Sequence, residues 1–298
     1  MPATVILNPY ANRWETGRRA AELKTIMQEE GIDFELKVTE GPNDATVLAS
    51  EAIKSGHTPL IAAGGDGTIS EILNGLMQAT LPGDYPAGPF GLLPLGTAND
   101  LTDALGIPRD LREAVRVITS GETRAIDLGR VNGRYFGNNA AVGLEPMVTI
   151  ENIRLTWMKG IIRYLASAVI AIFKRPAWNA KVEWDDGSYN GSLTLVSVGN
   201  SPRTGGVFYM TPQAVLDDGL LDFIFAPSLG KLRLFQLLPK AQTGEHIKEP
   251  EIQMHRTRRL SIKIEPQTPI QADGELISTN ATEILYEVLP GALQVFSP

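Results

Sequence analysis

The chain has 298 residues, 43 % of them apolar and 20 % charged, which is enough for a sizeable core and excludes global disorder. A formal net charge of −7 argues against a duplex nucleic-acid partner, while leaving room for a local basic patch at a membrane surface. Cysteine is absent, which excludes a disulfide framework and a thiolate metal site and fits a reducing cytoplasm.

The N-terminal stretch MPATVILNPY reads as a first strand over Thr4–Leu7, without the charged and long apolar regions of a secretory signal. A helical pattern runs through Ala20, Leu23 and Met27 and stops at Gly31. Phe34, Leu36 and Val38 alternate as a strand does, and Ala45, Leu48, Ala49, Ala52 and Ile53 mark a helix face closed by Gly56. Leu60–Ala63 and Phe90–Leu93 are unbroken apolar runs, as expected of strands buried on both faces. Ile69, Ile72, Leu73 and Leu76 place a helix between them, and further helical segments cover 99–105 and 111–119. This alternation predicts an α/β domain with a wound parallel sheet over residues 1–124.

From Ala125 the pattern changes to strands and turns. Asn132-Gly133 is a strong type I′ hairpin signal, and Asp186-Gly187, Asp218-Gly219 and Asp273-Gly274 repeat the theme. Two helical interruptions stand out, 150–174 and 229–240. A β-rich antiparallel domain is therefore expected over 125–286. The longest apolar stretch, Tyr164–Phe173, falls well short of the ~20 residues that span a bilayer, so the chain is expected to be soluble or peripheral.

One segment carries the strongest chemical signal. In Leu60-Ile61-Ala62-Ala63-Gly64-Gly65-Asp66-Gly67-Thr68-Ile69-Ser70-Glu71 a buried strand ends in glycines and a helix starts at once. Glycines let backbone N–H groups approach an anion, and the helix N-terminus adds partial positive charge. Thr68 and Glu71 have capping-box spacing, which would set the helix start. Asp66 beside a phosphate suggests contact with Mg²⁺, directly or through water. A tight βα turn whose glycines serve packing alone explains the same residues. Ser70 stands where a dinucleotide fingerprint needs its third glycine, and no Gly-Lys-Thr is present for a Walker A loop.

The segment Gly91–Asp100 repeats the logic, with Thr97 and Asp100 at N-cap spacing. A third loop, Asn8-Pro9-Tyr10-Ala11-Asn12, follows the first strand. Turns after neighbouring parallel strands would open at one edge of the sheet, where α/β folds bind ligands. Asp273-Gly274-Glu275 offers carboxylates as well as a hairpin turn, whereas His57, His246 and His255 sit in no motif and are expected at the surface.

Taken together these motifs resemble the diacylglycerol kinase catalytic family, especially the small bacterial lipid kinases. The resemblance rests on Asn8-Pro9, on Gly64–Thr68 with Glu71, and on Pro94–Asp100. It extends through Asn138-Asn139, Gly143, Asp217–Leu220 with Asp222, and Asp273-Gly274-Glu275. It implies an NAD kinase/diacylglycerol kinase-like fold whose C-terminal segment, 287–298, returns to the first domain, with ATP lying between the domains. By position it implies that Asn8, Thr39, Gly64, Gly65, Asp66, Gly67, Thr68, Ile69, Ser70, Glu71 and Thr97 hold ATP. It assigns the proton acceptor to Glu275 with Asp273 adjacent, and gives Asp66 a catalytic part. A structural Mg²⁺ would be held by the Asp218 carboxylate and the carbonyls of Val215, where the family often has lysine, and Leu220.

The implied reaction is ATP- and Mg²⁺-dependent phosphorylation of a lipid hydroxyl, of diacylglycerol or a related lipid, by a protein resting on the inner face of the membrane. The mixed aromatic, aliphatic and basic segment Trp157–Arg175 suits an interfacial helix or a cover over an acyl-chain groove, and equally an ordinary helix packed on a sheet. NAD phosphorylation and a catalytically silent lipid- or nucleotide-binding regulator are the alternatives. The sequence leaves the lipid unnamed and both a monomer and a homodimer open.

Overall fold

The computed structural model describes residues 2–11, 15–81, 83–85, 87–155, 157–158 and 160–298. Asn12 and Lys159, which belong to two of the segments above, lie outside the described residues. The chain forms two compact units, Met1–Leu128 with Leu289–Pro298, and Gly129–Val288.

The first unit runs β1 (Ala3–Leu7), α1 (Glu15–Arg18), α2 (Ala20–Glu29), β2 (Phe34–Val38), α3 (Asp44–Lys54), β3 (Leu60–Gly64) and α4 (Asp66–Ala79). It continues with β4 (Ala87–Pro94), α5 (Asp100–Ala104), α6 (Leu111–Ser120) and most of β5 (Thr123–Val131). β1 pairs in parallel with β2 and β3, and β3 with β4. Val5, Ile6, Leu60–Ala63 and Leu93 are wholly buried, as their unbroken apolar runs require. The C-terminal segment joins this unit: Leu293 and Val295 pair in parallel with Ala87 and Phe90 of β4. Gly291 N–H donates to Asp127 Oδ1 at 2.7 Å and fixes the entry of that segment.

The second unit contains the end of β5, then β6 (Arg134–Phe136), β7 (Asn139–Gly143), α7 (Leu144–Arg154), α8 (Gly160–Lys174), β8 (Trp178–Trp184) and β9 (Gly187–Gly199). It continues with β10 (Leu221–Pro227), α9 (Lys231–Thr243), β11 (Gln253–Thr257), β12 (Arg259–Ala272) and the start of β13 (Glu275–Phe296). Among the described residues, β6 to β12 pair with their neighbours in antiparallel fashion. β7, β9, β8 and β12 close into a ring, each pairing with the next. The main apolar core of this unit includes Phe136, Trp178, Phe223, Phe225 and Tyr286. A second apolar cluster joins α7, α8 and α9 to the sheet.

Several local expectations change in this fold. The β8–β9 turn is Asp185-Asp186, since Trp184 pairs with Gly187. Gly187 serves close approach instead of the turn, because a Cβ there would lie 2.5 Å from the Trp184 ring. Asp218-Gly219 closes no hairpin. It precedes β10, whose partner β9 ends at Gly199, and the Asp218 carboxylate accepts from Leu220 N–H at 3.1 Å in a local turn. The 150–174 interruption is two helices, the first starting early at Leu144.

Candidate functional site

In the first unit the two glycine turns meet backbone to backbone. Gly64 pairs with Pro94, and Leu95 N–H donates to Gly64 carbonyl at 3.0 Å. A Cβ on Gly96 would lie 2.4 Å from Gly65 Cα, and one on Gly65 would lie 3.0 Å from Gly96 Cα. Glycine is required at this crossing by space, so the packing reading of these residues holds at Gly65 and Gly96. It leaves the anion reading intact. Helix α4 starts at Asp66 behind Gly65, which supplies no side-chain cap, so its first N–H groups have no capping side chain.

The expected capping box does not form. Thr68 lies inside α4, where its hydroxyl accepts from Asn8 Nδ2 at 3.1 Å, and Glu71 accepts from Asn43 N–H at 3.0 Å. The helix begins earlier because extended Gly65 leaves the strand straight into it. Thr97 is likewise no N-cap; that position belongs to Asn99, in the left-handed region at φ 57°. The Asn99 Oδ1 accepts from Gly96 N–H at 3.0 Å and closes the turn on itself.

Asp66 joins the two turns. One carboxylate oxygen accepts from Asn99 N–H at 2.8 Å and the other from Asp100 N–H at 2.7 Å. Asp66 therefore caps α5 across the sheet edge, a role that sequence spacing does not reveal. Burial pushes its carboxyl above the ordinary value of 3.8, the charge of Asp100 adds to that, and the backbone donors oppose it.

The remaining predicted nucleotide contacts divide. Thr39 N–H donates to Leu7 carbonyl at 2.9 Å, and its buried hydroxyl has no hydrogen-bond partner among the described residues. Thr97 is exposed at the second turn and Gly67 half-buried in the first turn of α4. Ile69 and Ser70 face the core, at 2 % and 0 % exposure, and Ile69 N–H is bonded to Gly65 carbonyl. The buried Ser70 hydroxyl, like that of Thr39, has no hydrogen-bond partner among the described residues. The glycine crossing and the orphaned Thr39 hydroxyl fit a nucleotide whose phosphates sit at the α4 N-terminus.

In the second unit, Asp273 and Gly274 form the two-residue turn between β12 and β13, with φ 48° and 80°. The Asp273 carboxylate accepts from three successive backbone donors: Gly137 N–H at 2.9 Å, Asn138 N–H at 2.9 Å and Asn139 N–H at 3.1 Å. Asp273 N–H in turn donates to Asn139 carbonyl at 2.8 Å. The turn is clamped to the start of β7. Glu275 follows, partly exposed, and accepts from Arg134 Nη2 at 3.0 Å. Arg134 had no sequence signal, since it reads only as the residue after the Asn132-Gly133 turn. Gly143 closes β7 at φ 84°, where a Cβ would lie 2.6 Å from Thr194 carbonyl oxygen.

The expected Mg²⁺ loop presents Asp218 and Val215, both exposed. An all-oxygen set with one carboxylate suits a hard cation that keeps several waters. Arg256 stands close by: its Nη1 is 3.8 Å from Asp218 Oδ2, and its Nε donates to buried Asp222 at 3.2 Å. Burial raises the Asp222 carboxyl, and Arg256 opposes that shift. The donor set fits a weak structural cation site in which Arg256 already supplies part of the counter-charge. The histidine expectation needs correction. His246 is buried, its Nε2 3.1 Å from Met210 carbonyl, and burial lowers its pKa, while the His255 ring packs at a tilt against Trp184 with centroids 4.7 Å apart.

Comparison with known proteins decides the family. The diacylglycerol kinase catalytic domain model matches residues 2–131, and the YegS C-terminal NAD kinase beta sandwich-like domain model matches residues 138–297. The chain belongs to the diacylglycerol kinase family. Members of this family are lipid kinases. A diacylglycerol kinase from Staphylococcus carnosus (strain TM300) is 30 % identical over 275 residues, covering 92 % of this chain and 88 % of that protein. One from Staphylococcus aureus (strain MRSA252) is 30 % identical over 92 % of this chain and 85 % of its own length. Among solved structures, one from Bacillus anthracis strain Sterne aligns with a TM-score of 0.80 at 25 % identity, over 100 % of this chain and 97 % of that one. A diacylglycerol kinase structure from the same strain has a TM-score of 0.76 at 22 % identity, over the same shares, and speaks for the fold.

Proposed function

We propose that this member of the family transfers the γ-phosphoryl group of ATP, with Mg²⁺, to the hydroxyl of a neutral diacyl lipid such as diacylglycerol. One observation carries the acceptor class. The second unit contains an apolar cavity walled by α7, α8, α9 and the sheet, through residues such as Leu144, Val148, Ala168, Leu195, Leu234 and Leu237. A hydrocarbon chain suits such a wall, and the polar ribose of NAD does not.

Bound Mg·ATP supplies the electrophilic phosphoryl group and neutralises charge as it transfers. On the protein side, Gly65, Gly67 and Thr68 offer backbone N–H groups to the phosphates, and Asn8, Thr39, Glu71 and Thr97 surround the nucleotide. Asp66 holds the second turn in register with the first. In the second unit Glu275 accepts the proton of the lipid hydroxyl while Arg134 fixes its carboxylate, and Asp273 anchors the turn.

Among the described residues no helix is long and apolar enough to cross a membrane. Trp157, Ile162, Phe173 and Leu232 are nonetheless 58–76 % exposed, and Lys231 Nζ lies 4.6 Å over the Phe173 ring. These exposed apolar side chains support peripheral contact with the bilayer that contains the acceptor. The test is incubation of the purified protein with labelled ATP, Mg²⁺ and vesicles containing diacylglycerol, with NAD as a parallel acceptor. Labelled diacylglycerol phosphate is expected. Label in NAD alone, or nucleotide binding without turnover, would overturn the reading.

A further inference from the structure

The mechanism above gives the buried acid Glu145 no task. Glu145 is the second residue of α7, 8 % exposed, and it faces two environments at once. It belongs to the wall of the apolar cavity together with Leu144, Val148 and Ala168. Its Oε1 accepts from Asn139 Nδ2 at 2.7 Å and from Gln271 Nε2 at 3.1 Å. A carboxyl group in an apolar wall is costly, and an aliphatic residue would finish the cavity at lower cost. The group is expected to be kept for what it holds.

What it holds is the turn that bears Glu275. Gln271 Oε1 accepts from Gly274 N–H at 2.8 Å, so one path runs Glu145–Gln271–Gly274. Asn139 N–H donates to the Asp273 carboxylate and the Asn139 carbonyl accepts from Asp273 N–H, so a second path runs Glu145–Asn139–Asp273. Thr204 Oγ1 donates to Asn139 Oδ1 at 2.8 Å and fixes the amide that faces Glu145. Asn139 and Gln271 are buried at 2 % and 1 % exposure, so neither can turn to water if Glu145 moves. Both paths end on the two residues before Glu275. Burial pushes the Glu145 carboxyl up, consistent with a group that acts as a hydrogen-bonding hub and not as a counter-ion.

We propose that Glu145 is a positioning residue that couples filling of the apolar cavity by an acyl chain to the seating of the Asp273–Glu275 turn. The inference rests on the lipid-kinase reading above. Its consequence is that the hydrocarbon of the acceptor sets turnover and not only binding. An acceptor too short to enter the cavity leaves the α7 start unsupported and the base less well placed, and small misplacements of a reacting group lower kcat steeply.

The experiment compares dioleoylglycerol with dibutyrylglycerol in mixed micelles at saturating concentration, for wild type, Glu145→Leu and Glu145→Gln. For the wild type, kcat on the long-chain acceptor is expected to exceed that on the short-chain one by about tenfold. Glu145→Leu should lower the long-chain kcat by about tenfold while KM for ATP stays unchanged. Glu145→Gln keeps an acceptor oxygen for Asn139 and Gln271 and should restore most of that loss. A purely packing role would change stability without splitting kcat from KM and without rescue by glutamine. Equal wild-type kcat on both acceptors overturns the coupling, and this comparison decides even if the leucine variant fails to fold. A folded Glu145→Leu with wild-type kcat overturns it as well, and in both cases the lipid-kinase reading stands. Absence of any labelled lipid with wild type overturns both.

Discussion

The role of Asp66 is open to a direct test, because two assignments predict different results for one substitution. Asp66→Ala removes both acceptors from Asn99 and Asp100 N–H and leaves two helix N-terminal donors at a buried edge. Hydrogen bonds to a charged acceptor contribute about 1.5–3 kcal/mol each, and burial of the ionised carboxylate offsets part of that. We expect a cost of about 2–4 kcal/mol to the first unit, a fall in its unfolding temperature of roughly 5–15 °C. Calorimetry resolves the two units where a single two-state fit would not. KM for ATP should rise in parallel, since the two turns lose register at the Gly65–Gly96 crossing.

The pH dependence carries a sign of its own. The folded Asp66 carboxyl titrates above its ordinary value of 3.8, so in that window the folded state binds more protons than the unfolded state. Its contribution to stability is therefore full below 3.8 and is lost as pH rises through the folded pKa. Asp66→Asn should flatten this segment of the stability–pH curve. If Asp66 acted chiefly on Mg²⁺, Asp66→Ala would raise the Mg²⁺ requirement and leave the unfolding temperature in place. That outcome would refute the bridging argument.

Three further outcomes follow from the same geometry. Gly96→Ala should damage nucleotide affinity more than Gly65→Ala, because its Cβ meets backbone at 2.4 Å against 3.0 Å; overpacking of this kind costs about 1–3 kcal/mol, and isothermal titration with ATP ranks the two. Glu275→Ala should lower kcat by about 10²–10⁴-fold with little change in the unfolding temperature, as expected for loss of a general base; phosphorylation rates at saturating substrate check it. Arg256→Met removes the cation beside Asp218 and Asp222, so millimolar Mg²⁺ should raise its unfolding temperature more than that of the wild type, and equal shifts would count against competition at that loop.

The sequence made the strands and most helices of the first unit legible because Leu60–Ala63 and Phe90–Leu93 are apolar without interruption, and such runs have one place in a sheet. The Asn132-Gly133 hairpin was legible for an equally local reason: both residues must adopt positive φ, and they do, at 45° and 87°. The capping box at Thr68–Glu71 failed because helix start was decided by partners far away in the chain, Asn8 for Thr68 and Asn43 for Glu71. Burial of Ile69 and Ser70 follows from which face of α4 meets the sheet, and His246 entered the core through a contact with Met210. Arg134 and Glu145 gave no signal at all. Their partners lie at Glu275 and Gln271, beyond the reach of any spacing rule.

Three of the four Asp-Gly pairs join these cases into one physical pattern. Asp66, Asp218 and Asp273 suggest, in turn, a metal contact, a hairpin with a cation, and a catalytic acid. In the structure each of the three carboxylates accepts backbone N–H groups: Asn99 and Asp100 for Asp66, Leu220 for Asp218, and Gly137 to Asn139 for Asp273. Aspartate is suited to this because its short side chain reaches nearby donors with little entropy to lose, and glycine after it lets the chain turn away. A carboxylate that satisfies two or three backbone donors is held in one place and holds its donors in turn. It is therefore better placed to fix a loop than to take up a proton during turnover. In the proposed reaction the proton therefore goes to Glu275, which accepts from Arg134 at 3.0 Å and stays partly exposed.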